Sequence, residues 1–161
     1  MKFLPPEAYQ PTANLLFDQI ADQLRAVLPD AQVEHVGSSS IPDTVSKGDL
    51  DIYVGVAPDD FDAAITRIES LGFSIKHNSQ RTHELCPFES EDYALDVGVQ
   101  LVARGSEFEF FLVFRDMLVA DPRLREAYNQ MKLGAAHLGP DAYRRVKSDF
   151  IEPLVGRRRD T

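Results

Sequence analysis

The chain has 161 residues, 43% of them hydrophobic, enough for one domain with a sizeable core and too apolar for a disordered chain. Its 26 acids against 17 bases give a formal charge of −9, which argues against a large polyanion such as duplex DNA as partner but not against a nucleotide carrying its own cation. Cys86 is the only cysteine, so an internal disulfide is excluded, and no run is apolar enough to span a bilayer. Residues 1–11 carry three prolines and no apolar core of a secretory signal, so no membrane association and a cytoplasmic location are expected.

Residues 11–28 place Leu15, Leu16, Ile20, Leu24, Val27 and Leu28 near helical spacing, opened by Pro11 or Thr12 and stopped by Pro29. A short strand is predicted over 33–36, a helical turn limited by Pro42 within 38–47, and a second strand over 49–57. Pro58-Asp59-Asp60 opens a helix to about Leu71, with Phe61, Ile65, Ile68 and Leu71 on one stripe and Gly72 closing it. Strands are predicted at 73–77 and 82–88. The run 93–102 then alternates, with Tyr93, Leu95, Val97, Val99 and Leu101 on one face and Ala94, Asp96, Gly98 and Gln100 on the other.

The remainder reads as helical. Ser106 and Glu109 form a capping-box pattern before the apolar run 108–118, whose Phe108, Phe110, Phe111 and Phe114 read as core. Asp121-Pro122 starts the next helix, ending near Gly139. Pro140-Asp141 starts the last, to about Leu154, with Tyr143, Val146, Phe150 and Ile151 inward. The expected organisation is one domain over 1–161: a sheet-containing core with an N-terminal helix over 1–105, helices over 106–155, and a basic tail over 156–161. The fold class is α/β (α+β), a mixed sheet packed by helices with a helical C-terminal layer.

Chemistry concentrates in residues 34–56, EHVGSSSIPDTVSKGDLDIYVGV. Gly37, Ser38 and Ser39 follow a strand directly; a glycine there lets backbone N–H groups approach a ligand and the serines add donors, which suits phosphate. Asp49 and Asp51 share one strand face, about 6.6 Å apart along the chain, close enough for one or two hard cations. Alternation puts Asp96 on the polar face of a later strand. The plainer reading has a Ser-capped turn, Asp49 capping the strand entry and Asp96 in solvent. Lys47, Arg115, Lys132 and Lys147 are candidates to neutralise phosphate charge; otherwise they are solvated bases, or, for Arg115, a partner of Asp116. His35 reads as a residue that orients the turn. His77, His83, His137 and Cys86 lack the spacing of zinc ligands.

A Gly-Ser turn, a gap of about a dozen residues and Asp-x-Asp on a strand, with a third acid later, resembles the signature of the nucleotidyltransferase superfamily with the DNA polymerase β type of catalytic domain. More narrowly, Glu34-His35-Val36-Gly37-Ser38-Ser39-Ser40-Ile41-Pro42, Lys47, Phe114-Arg115-Asp116-Met117-Leu118 and Tyr128-Asn129-Gln130-Met131-Lys132 resemble the GrpB family. Those matches spread over nearly the whole chain. GrpB relatives usually carry Thr at Ser39, Gly at Asp43 and Pro at Gly48, and many have one acid where this chain has Asp49 and Asp51.

The resemblance implies a nucleotidyltransferase-like fold in which Asp49, Asp51 and Asp96 hold Mg²⁺ or Mn²⁺. It implies a nucleoside triphosphate, ATP first among the candidates, as donor substrate bound by Gly37, Ser38, Ser39, Lys47, Arg115, Lys132 and Lys147. The implied reaction moves a nucleoside monophosphate to the hydroxyl of a small-molecule or protein acceptor, releasing pyrophosphate. The alternative is a module that binds a nucleotide or metabolite without turnover; GrpB-like domains also occur fused to a dephospho-coenzyme A kinase domain, which implies an accessory role and a protein partner. A third class is a phosphohydrolase using the same carboxylates with water as acceptor.

Overall fold

The computed structural model describes residues 1–156. Its centre is a five-stranded mixed sheet of order β1-β2-β5-β4-β3, formed by β1 (Gln32–Val36), β2 (Leu50–Val56), β3 (Ser74–Ile75), β4 (Leu85–Ser90) and β5 (Val97–Ala103). β2 runs antiparallel to β1 and parallel to β5, and β4 is antiparallel to both β5 and β3. The parallel pair needs a crossover, which α2 (Phe61–Glu69) and the β3–β4 segment supply. β2 is buried at six of its seven positions because both faces of the sheet are covered.

Helices α1 (Pro6–Val27) and α2 cover one face, where Ile20, Leu24, Ile52, Val54, Val99 and Leu101 form the main core. On the other face Val36, Tyr53, Leu85, Val102 and Phe108 make a smaller cluster. Beyond it, α3 (Phe110–Ala120), α4 (Pro122–Gly134) and α5 (Pro140–Val155) form the C-terminal layer around Ile41, Phe114, Leu118 and Tyr128. No described helix is long and apolar enough to cross a membrane.

The free edge of β1 is occupied by guanidinium groups. Arg25 donates from Nη2 to the Val33 carbonyl at 3.3 Å, and Arg115 from Nη1 to the His35 carbonyl at 3.1 Å. An edge closed this way offers fewer backbone acceptors to another chain.

Several sequence expectations shift. α1 starts at Pro6, where a missing N–H costs no helical bond, and Pro11 lies inside it. Leu15 is 67% exposed while its neighbour Leu16 is buried, so the apolar stripe is narrower than the spacing suggested. β5 begins only at Val97 because its partners end there: β2 pairs from Leu50 and β4 stops at Ser90. Tyr93 and Leu95 still pack on the main core from the preceding bends. The capping box does not form; Glu109 N–H donates to the Ser106 backbone carbonyl at 3.3 Å, and the buried Ser106 hydroxyl has no partner among the described residues. Asp121 does cap α4, accepting from the Arg123 and Leu124 amides at 3.0 and 3.2 Å. α4 ends at Gly134, earlier than expected. Arg157, Arg158 and Arg159 of the expected tail lie outside the described residues.

Candidate functional site

β1 delivers the chain into Gly37, whose φ of 71° and ψ of −175° fall in a region open essentially to glycine alone. A 3-10 turn, Ser38–Ser40, follows, closed by the Ser40 amide and hydroxyl on the Gly37 carbonyl at 3.1 and 2.6 Å. The turn is braced from behind. His35 Nε2 lies 2.7 Å from Ser39 Oγ, and the ring stacks on Phe17 at 5.0 Å. Burial, helped by the charge of Arg115, lowers the His35 pKa to about 4, so the imidazole is neutral and serves as a brace.

Asp51 stands on β2 between Val36 of β1 and Gly98 of β5. Both neighbouring glycines make room for its carboxylate: a Cβ on Gly37 would lie 2.5 Å from Oδ2, and one on Gly98 2.9 Å from Oδ1. Burial and then the charge of Asp49 push the Asp51 pKa up to about 7, against the pull of Lys147, Lys47 and Lys76. Asp49 sits just before β2, half-buried, accepting from Ser46 Oγ at 3.0 Å. Asp96 is exposed, one residue ahead of β5. Among the described residues no three His, Cys, Asp or Glu side chains stand together so as to hold a metal ion. Two carboxylates with excess negative charge nonetheless fit the protein's share of a Mg²⁺ site, because that ion takes one or two carboxylates and completes its shell with phosphate oxygens and water.

Lys132 of α4 is 2% exposed; its Nζ donates to Ser38 Oγ and the Val45 carbonyl and lies 4.3 Å from the Tyr128 ring centroid. Burial, followed by the charge of Lys147, lowers its pKa to about 6. Lys147 of α5 is shifted upward, by Tyr128 first and by Asp51 and Asp49 besides, against burial. Lys47 is exposed, 6.0 Å from the Tyr143 ring centroid. Arg115 is engaged elsewhere: its guanidinium meets Glu34 at 2.9 Å and Asp116 at 3.0 Å and caps the His35 carbonyl. It braces the end of β1 from the side away from Asp51.

The loop 41–48 joins these parts. Asn129 of α4 donates to the Asp43 carbonyl at 2.8 Å and accepts from the Val45 amide at 3.0 Å. From α1, Gln10 donates to the Ile41 carbonyl and Tyr9 to the Thr44 carbonyl, each at 2.8 Å. Leu4 and Ser46 exchange backbone bonds of 2.7 and 3.2 Å. Asp43, where the family turn carries glycine, takes a left-handed φ of 59°.

A cleft of about 340 Å³ opens between the sheet and α5, with Gly37, Ser38 and Asp51 among its walls. Reasoning from sequence missed Gln100, Arg144 and Ser148, which also line it. Alternation had placed Gln100 on the Asp96 face, and the spacing of 144, 147, 148 and 151 marks one face of a helix. Phe110 and Phe111, expected in the core, are half-buried and line the cleft as well.

A UPF0157 protein of Vibrio cholerae is 44% identical over 97% of this chain and 82% of its own length. One of Halalkalibacterium halodurans is 30% identical over 92% of this chain and 79% of its own. The crystal structure of conserved protein GrpB from Enterococcus faecalis superposes with a TM-score of 0.77 at 23% identity, covering 96% of this chain and 95% of that one. Cid1, in a structure described for its RNA terminal uridylyl transferase activity, shares the fold with a TM-score of 0.60 at 16% identity, over 85% of this chain and 47% of Cid1. The nucleotidyltransferase-like fold is therefore established. The family model described as GrpB protein matches residues 7–157, and the chain belongs to the GrpB family.

Proposed function

We propose that the chain is a nucleotidyltransferase, transferring a nucleoside monophosphate from a magnesium-bound nucleoside triphosphate to a hydroxyl acceptor. The observation that carries this reading is the hydrogen bond from the buried Lys132 to Ser38 of the glycine-serine turn, beside the Asp49–Asp51 pair and Lys147. In a chain of net charge −9, lysines gathered at one turn point to an anionic ligand. Gly37 lets phosphate oxygens approach the backbone, Ser38 and Lys132 supply donors, and Lys147 supplies positive charge from the opposite wall. Asp49 and Asp51 would hold the cation, which when bound supplies charge neutralisation at the transferring phosphoryl group. The new bond joins the acceptor oxygen to the α-phosphorus as the hydroxyl proton passes to water, the bond from the α-phosphorus to the bridging oxygen breaks, and pyrophosphate leaves.

The test is titration of ATP, GTP, CTP and UTP into the wild type and the Asp49→Asn/Asp51→Asn variant, with and without Mg²⁺, followed by an acceptor screen for pyrophosphate release. Magnesium-dependent binding that the variant loses supports the reading. Failure of every nucleotide to bind the folded protein refutes it. One observation favours a second reading, a module that binds without turnover: Gly98 occupies the β5 position opposite Asp51, and the third acid, Asp96, is exposed outside the strand. Nucleotide binding with no pyrophosphate release across the acceptor screen decides for the module; inorganic phosphate as product decides for hydrolysis.

A further inference from the structure

The segment 108–114 divides its aromatic residues between two tasks. Phe108 and Phe114 are buried in separate apolar clusters. Phe110 and Phe111 stack on each other, centroids 4.2 Å apart and planes 27° from parallel, and both stay half-open to the cleft. They pack on the cluster of Tyr53 and Val102, which lie two and four residues further along β2 and β5 than Asp51 and Gly98. At about 3.3 Å per residue that places them roughly 7–13 Å along the strands from the carboxylate. The facing wall is α5, where Lys147 and, one turn later, Ile151 line the cleft. Gln100 lies on β5 between Gly98 and Val102, half-buried in the cleft wall, and among the described residues no group hydrogen-bonds its amide.

The cleft therefore joins the glycine-serine turn and the Asp51 carboxylate to a pair of half-open aromatic rings, with the Gln100 amide on the strand between Gly98 and Val102. Its volume of about 340 Å³ falls in the range of small-ligand sites. We propose that Phe110 and Phe111 are the seat of the nucleobase, so that the site holds a nucleoside polyphosphate by its base as well as its phosphates, with Gln100 hydrogen-bonding the base edge. This rests on the nucleotide reading above. Stacked rings accept the π-face of any base, while the phosphates meet the charge of Lys147 and the donors of the Gly37-Ser38 turn.

The test compares MgATP with magnesium tripolyphosphate, which carries the phosphates without the nucleoside. Both are titrated into the wild-type chain and into Phe111→Leu, Phe111→Tyr and Lys147→Ala. Leucine keeps apolar bulk at the position, and melting curves establish that each variant is folded. ATP is expected to bind the wild type at least about tenfold tighter than tripolyphosphate. Phe111→Leu is expected to remove most of that difference while leaving tripolyphosphate within about twofold of wild type, Phe111→Tyr to restore it, and Lys147→Ala to weaken both ligands. Equal affinity of the wild type for the two ligands overturns the base seat and leaves the phosphate site standing. Equal weakening of both ligands by Phe111→Leu also overturns it, since the ring would then act on the shape of the cleft. If neither ligand binds the folded wild type, the nucleotide reading falls and the base seat with it.

Discussion

Replacing Gly37 by alanine tests whether the turn is as tightly specified as its geometry indicates. Two separable costs follow. The backbone at φ 71° and ψ −175° would hold an alanine in a conformation that costs about 1–3 kcal/mol. The new methyl would also lie 2.5 Å from Asp51 Oδ2 and 2.9 Å from Asp51 Cβ. Turning the carboxylate relieves the first contact but not the second, so overpacking adds about 1–3 kcal/mol. The sum, about 2–6 kcal/mol, lowers the melting temperature by roughly 5–20 °C for a chain of this size. The assay is thermal unfolding at pH 8 without nucleotide. Gly98→Ala is the control: its backbone is ordinary and the close contact of its methyl is with Asp51 Oδ1, at 2.9 Å, the next atoms being Gln100 Nε2 at 3.8 Å and the Phe88 carbonyl at 3.9 Å. It should cost about 1 kcal/mol or less in stability while displacing the carboxylate and weakening Mg²⁺-dependent nucleotide binding. In an Asp51→Gly background the collision is gone, so adding Gly37→Ala to that parent should cost only the backbone component. A Gly37→Ala melting point within about 2 °C of wild type, or a double variant that melts with its Asp51→Gly parent, refutes the reasoning.

Three further outcomes are expected. The folded pKa of Asp51 lies near 7, above its ordinary 3.8, so the folded state retains an extra proton between those values and loses stability as pH rises through them. Asp51→Asn should therefore melt with wild type near pH 4 and above it at pH 8, by about 1–4 kcal/mol; a variant no more stable at pH 8 contradicts this. Lys132 has the opposite sign, its folded pKa near 6 below an ordinary 10.5, so its contribution to stability rises with pH across that window. An anion at Ser38 would return the proton, and calorimetry at pH 8 in buffers of different ionisation enthalpy should detect uptake on MgATP binding that Lys132→Met abolishes. Arg25→Ala/Arg115→Ala uncovers the Val33 and His35 carbonyls. It should elute earlier than wild type in size-exclusion chromatography at matched concentration, and an unchanged profile would show that the edge needs no guard.

The turn and Asp51 were legible in the sequence because local rules decide them. A glycine after an apolar strand and strict alternation along 50–56 fix where the carboxylate points. Asp121 as a cap was legible for the same reason. Asp96 was not, because alternation says which face a residue takes but not where pairing stops, and β5 is shortened by the ends of β2 and β4. Arg115 carried a family motif yet serves Glu34, 81 positions earlier, a long-range pairing with no local trace. Phe110 and Phe111 followed an apolar run into what composition calls core; only the placement of α5 leaves them open to a cleft.

The loop 41–48 is fastened from both ends of the chain, by Leu4, Tyr9 and Gln10 on one side and Asn129 and Lys132 on the other. Mechanically this makes the sheet and the helical layer a riveted frame, not a jaw. Swinging the layer away would break several bonds at once in the segment between the glycine-serine turn and the acidic strand. With α4 held in this way, rotation of cleft-lining side chains on α5, such as Arg144, Lys147 and Ser148, is the smaller movement by which a ligand could be accommodated. Such movements take nanoseconds, whereas hinged closure takes microseconds to milliseconds.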